Sequence, residues 1–100
     1  MAMSETSTLY ATLLGQTAEI KWQELQPQFA KGALLRVNAE VDLIEAAVAI
    51  VKDDTAKVSA WLASGQVGRV TEDDARIFLE TDPTLWAVVV APWVLIQDRA

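Results

Sequence analysis

The stretch Leu85-Trp-Ala-Val-Val-Val-Ala-Pro-Trp-Val-Leu-Ile96 decides the fold. It holds no charge and no side-chain hydroxyl or amide. A helix needs about 20 apolar residues to cross a bilayer, so this run is too short to span one. Val and Trp favour strands, and Pro92 would break a helix interior. The run therefore predicts two buried strand segments around a proline bend. Trp86, Val88 and Val90 share one strand face, and Leu85, Ala87 and Val89 share the other. Both faces are apolar, which predicts a strand that is central or covered on both sides. Pro92 cannot donate to a ladder and is expected at an edge position or a bulge.

Upstream, Leu9, Tyr10, Leu13 and Leu14 recur one helical turn apart, which predicts a helix over about 6–15 with Gly15 at its end. Ile20 suits a short extended piece. Trp22, Leu25 and Phe29 come next at helical spacing with Gly32 as the stop, and Pro27 inside predicts a kink or two short turns. Residues 33–37 read as a strand, and Asn38 as the N-cap of a third helix. Leu43, Ile44, Ala47, Val48 and Val51 form the apolar stripe of that helix. Asp54 caps a fourth, which carries Val58, Trp61 and Leu62 and stops at Gly65. The short break between them predicts a nearly antiparallel helical hairpin. Residues 67–70 are a second strand. Thr71-Glu-Asp-Asp74 resembles a capping box, and its acids suit the positive end of a helix dipole. Ala75, Phe78 and Leu79 give that fifth helix its buried face. Asp82-Pro83-Thr84 is a turn. The sum is an α+β fold: about five helices packed on a small sheet from residues 33–37, 67–70, 85–91 and 93–97. One compact domain over 8–98 is expected, behind a flexible N-terminus of residues 1–7. A single helix pair at 40–65 is not a repeat, so a solenoid is not supported.

Composition narrows the chemistry. The chain has 100 residues, no cysteine and no histidine. Disulfides, thiolate zinc sites, Cys nucleophiles, Ser-His-Asp triads and His-bound metals are outside its reach. The usual proton carrier near neutral pH is missing as well. The net charge is −6, and the 8 basic residues are dispersed without a run, which argues against nucleic acid and anionic membranes as partners. The opening residues have neither a basic n-region nor an apolar h-region, so no secretory leader is expected. Met3-Ser4 reads as a natural start, with Met1 and Ala2 as an addition. A cytoplasmic location is the expectation, in keeping with the missing cysteines.

Several clusters have a chemical and a plain reading. Asp53, Asp54, Glu72, Asp73 and Asp74 could bind a hard cation, but they match no calcium-loop spacing and serve better as helix caps. Asp42 and Glu45 could share a helix face as an acid–base pair, in a chain with little material for a glycosidase cleft. Gly65, Gly68 and Arg69 hint at a phosphate loop but lack the Lys-Ser/Thr that would complete it. Trp22, Trp61, Trp86 and Trp93 suit either core packing or partner anchoring. Trp93, beside the proline bend, is the strongest exception to core packing. Arg36, in an apolar strand, points to solvent or anchors an anion or acidic partner. Trp22, Arg36 and Trp93 are thus the candidate interaction surface. No catalytic, cofactor or metal residue is assigned, and no cofactor is expected.

The residues also resemble a known family. Leu9-Tyr10, Ile20-x-Trp22-x-x-Leu25, Phe29-Ala-x-Gly32, Leu35-x-Val37 and Asp42-Leu43 carry the likeness. So do Asp53-Asp54, Val58-x-x-Trp61-Leu62-x-x-Gly65 and the closing Trp86…Ala91-Pro-Trp-Val-Leu-Ile-Gln97. Together they resemble the uncharacterised bacterial family called domain of unknown function 2288, from about Thr8 to Gln97. The resemblance implies a small intracellular domain and brings no activity, cofactor or catalytic residue.

The functional expectation is a non-enzymatic binding or assembly module, with a protein partner or a second copy as its target. The alternative is a small-molecule sensor or minor enzyme using carboxylates with Arg36 or Arg69, which requires a pocket with convergent polar groups. A third idea, an acidic decoy for a nucleic-acid-binding protein, needs its acids on one face, and the sequence spreads them over several elements.

Overall fold

The apolar run is a β-hairpin. Leu85–Val90 and Trp93–Asp98 pair antiparallel, with Val90 opposite Trp93, so Ala91 and Pro92 make the two-residue turn. The peptide between them is cis. Pro92 thus stands at the bend, not at an edge or a bulge, because the turn needs no ladder donor from it.

A computed structural model describes residues 5–98. In chain order the elements are α1 (Glu5–Gln16), β1 (Ala18–Ile20), α2 (Trp22–Ala30), β2 (Leu34–Val37), α3 (Leu43–Val51), α4 (Thr55–Ser64), β3 (Val67–Arg69), α5 (Glu72–Thr81), β4 (Leu85–Val90) and β5 (Trp93–Asp98). The fold is α+β, five helices with a five-stranded mixed sheet of order β1-β4-β5-β2-β3. Only β2 and β5 run parallel; the other pairs are antiparallel. The short extended piece at Ile20 is an edge strand that the expected sheet did not include. Of the expected flexible segment, residues 1–4, with the proposed start at Met3, lie outside the described residues, and α1 opens at Glu5.

Strand alternation sends side chains to two helical layers. Leu35, Val37, Val67, Val88, Val90 and Leu95 pack with Leu13 of α1 and with Leu43, Ile44, Ala46, Ala47 and Val48 of α3; Trp61 of α4 is partly buried against them. Leu34, Leu85 and Ile96 face the other way and meet Trp22, Leu25 and Phe78 from α2 and α5. On that second side the Trp22 ring lies 5.5 Å from Phe29 and 5.3 Å from Phe78, both tilted. Burying these apolar groups contributes about 25 cal/mol per Å² removed from water.

Several local expectations are corrected. β4 is an interior strand, flanked by β1 and β5, but it is not covered throughout: Val89 is 63% exposed. Asp42, not Asn38, caps α3: its Oδ1 accepts the Ile44 N–H at 2.9 Å, because residues 38–42 form a loop closed by Val41 N–H to Asn38 O. α2 is one helix rather than two turns, with Pro27 inside it. The carbonyl displaced by its ring belongs to Gln23, which is exposed and within reach of water. Leu79 is 64% exposed, since α5 turns only Phe78 and Ala75 to the sheet. Asp54 and Thr71 cap α4 and α5 as read, and Gly65 ends α4 at φ 79°.

One buried polar side chain ties the first layer together. Gln97, 3% exposed, donates from Nε2 to Asn38 O (2.9 Å) and to Val41 O (2.6 Å). It pairs the buried Val41 carbonyl and adds a second donor to the Asn38 carbonyl, which also accepts the Val41 N–H. Tyr10 adds a second tie, its hydroxyl donating to Asp42 Oδ2 at 2.6 Å.

Candidate functional site

The strand order builds a cleft at the α4 end of the sheet. β3 pairs with β2 so that Arg69 stands opposite Leu35 and Val67 opposite Val37. All four side chains therefore point to the first helical layer. β5 runs along the other edge of β2, with Leu95 beside Leu35, and Trp93 points the same way as Leu95. Arg69 and Trp93 thus approach each other across β2, and the guanidinium carbon sits 5.4 Å from the Trp93 ring centroid. That is cation–π distance. Arg69 Nη1 also lies 4.0 Å from where a Cβ on Gly32 would stand, and Gly32 holds φ 70°. That left-handed turn favours glycine, while a Cβ there would meet the guanidinium only at ordinary contact distance.

α4 roofs the cleft. Its N-cap Asp54 accepts the Lys57 N–H at 3.2 Å, and Gly65 turns the chain back so that Gln66 N–H reaches Trp61 O at 2.9 Å before β3 begins. None of its residues is buried, although Val58 and Trp61 are partly covered. The volume between α4, the end of α3 and the sheet is about 390 Å³. Leu35, Ile50, Val58, Leu62, Val67 and Trp93 supply its apolar lining; Asp53, Thr55, Ser59 and Arg69 supply the polar groups. Leu62 is 51% exposed at its rim.

The three residues expected to form an interaction surface are not brought together. Trp93 lines the cleft, half-buried. Arg36 lies on the opposite sheet face, where its Nε is 3.6 Å from Asp74 Oδ2 in a smaller depression of about 340 Å³ that includes Phe78 and Ile96. Trp22 is 4% exposed and sits inside the second layer. Of the acids, Asp54 caps α4, Asp74 accepts the Thr71 N–H at 3.0 Å, and Asp73 pairs with Arg76 at 2.9 Å. Asp42 spends both oxygens on the α3 cap and on Tyr10, so it does not act with Glu45. Among the described residues no three acids gather to hold a metal ion. Sequence reading places Asp53 only among five acids and Leu62 only on the α4 apolar face; Thr55 and Ser59 are cleft residues that it does not single out. Their only shared signal is position around the α3–α4 connection.

Comparison with known proteins agrees with the motif reading. A family model described as protein of unknown function (DUF2288) matches residues 8–98. The structure resembles the solution NMR structure of PA1075 from Pseudomonas aeruginosa, with 62% sequence identity and a TM-score of 0.83 over the whole of this chain and 93% of the other. No curated protein matches the chain. A match over nearly every described residue, with a homologous fold at that identity, places it: the chain belongs to the DUF2288 family, proteins of unknown function.

Proposed function

We propose that the chain is a small binding module without catalysis of its own, and that the cleft under α4 is where it binds. The observation that carries this reading is the Arg69–Trp93 stack within an apolar cleft of about 390 Å³. Small-molecule sites are typically of roughly 300–1,000 Å³, apolar, with a few polar groups that fix orientation. The sequence supports the non-catalytic half, since it lacks the residues that most often carry protons or attack substrates near pH 7. A cytoplasmic setting accords with the cysteine-free composition. The charge of −6 weighs against a nucleic-acid partner. Among the described residues no helix is long and apolar enough to cross a membrane. The test is a fragment screen followed by amide chemical shifts. Saturable shifts are expected in residues 53–62, 67–69 and 93. A screen whose hits never touch those positions would reject the cleft as the site.

An assembly role is the second reading, favoured by a specific surface. Leu79 is exposed beside a shallow groove that Trp22, Phe29 and Ala75 line between α2 and α5. Such apolar surface is suited to a protein partner or a second copy. Light scattering across a concentration series checks the second copy, and a mass that stays at one chain throughout rejects it.

A further inference from the structure

We infer that the cleft under α4 recognises a free amino acid with an apolar side chain; this rests on the cleft being the binding site. Among its lining residues Arg69 is the one cation and Asp53 the one carboxylate. They do not pair with each other, and neither forms an ion pair with another described residue. Arg69 is held by its stack on Trp93 and by the β2–β3 ladder. Asp53 is held in a left-handed turn, φ 55°, with its N–H on Ile50 O at 3.1 Å. The cleft is therefore lined by two opposite charges that form no ion pair among the described residues, together with Thr55 and Ser59. The rest of the lining is aliphatic or indole.

A ligand that matches this must bring an anion for the guanidinium, a cation for the carboxylate and an apolar group for the floor. A carboxylate suits the planar fork of arginine. An ammonium suits Asp53, which also lies just past the C-terminal end of α3, where the helix dipole favours a cation. A simple anion would satisfy only Arg69 and would meet the repulsion of a chain with net charge −6; a zwitterion carries no net charge and escapes it. Both charges on one carbon, with a branched or aromatic side chain, describe a free amino acid such as leucine. A peptide terminus offers only one of the two charges.

The probes are L-leucine, N-acetyl-leucine, leucinamide and N-acetyl-leucinamide, which carry both charges, the anion, the cation and neither. Each is titrated into the whole chain and tracked by the Arg69 Nε–H, the Trp93 indole N–H and the amides of 53–59. Leucine is expected to bind most tightly, with the singly charged probes about tenfold weaker, as loss of one charge-assisted contact implies. Arg69→Gln and Asp53→Asn are both at exposed positions, so the fold is expected to survive. Each should weaken leucine by about tenfold and N-acetyl-leucinamide by clearly less, since only leucine loses a charge-assisted contact. Equal binding of all four probes at these signals overturns the amino-acid assignment and leaves the cleft a binding site. Absence of any response to the four probes, while fragments still shift the cleft, overturns the assignment alone. Silence from both probes and fragments overturns the binding reading as well.

Discussion

α3 and α4 are consecutive helices on the same side of the sheet, and they do opposite things. α3 buries Leu43, Ile44, Ala46, Ala47, Val48 and Ala49; α4 buries none of its residues. The difference starts in composition. Three small alanines let α3 lie close over β4 and β5, with Leu43 and Ile44 filling the space beside them. α4 reads Thr-Ala-Lys-Val-Ser-Ala-Trp-Leu-Ala-Ser and meets the short edge strand β3 instead of the sheet centre. One helix seals the core and the next leaves a gap beneath it. A helix with little buried surface costs less to displace, so the candidate site sits under the less firmly held of the two.

The sharpest way to break this contrast is to truncate one apolar residue on each helix. Leu43→Ala, at a site with no exposure, is expected to cost about 3–5 kcal/mol of unfolding free energy, while Leu62→Ala costs under about 0.5 kcal/mol. Denaturant midpoints with matched slopes read both, and equal losses would erase the distinction. Gln97→Leu should come next at about 2 kcal/mol, since it leaves the Val41 carbonyl buried without its donor and takes one of two donors from the Asn38 carbonyl. Asp54→Ala removes the α4 cap and should cost about 1 kcal/mol, with faster amide exchange in 55–64 and little change in 43–51. Smallest is Arg36→Gln on the far face, about 0.5 kcal/mol in the same denaturation assay, because its pair with Asp74 is partly solvated. A larger loss there would shift weight from the first layer to the second.

How much of this the sequence disclosed depends on how local the signal is. The capping box at Thr71–Asp74, the stop at Gly65 and the hairpin around Pro92 are written in neighbouring residues, and each is found where the pattern puts it. β1 was harder, because three residues with Glu19 in the middle carry too little alternation to declare a strand. Leu79 misled, since an apolar residue one step from Phe78 on a helix need not share its face. The cleft was not legible at all. Arg69 and Trp93 meet only because β5 and β3 flank the same strand, and nothing near either residue specifies that neighbour. Buried Gln97 was hidden for a similar reason: its partners lie 59 and 56 positions away.

The position of β5 bears on how the protein is made. Removing it from the order β1-β4-β5-β2-β3 leaves two separate antiparallel pairs with no hydrogen bond between them. A partly folded chain in which β5 has not docked therefore has both halves of the architecture and none of the join. Until Trp93–Asp98 docks, the folding chain holds two open ribbons whose greasy surfaces await the same insert. Holding chaperones have their strongest claim on the chain in that interval.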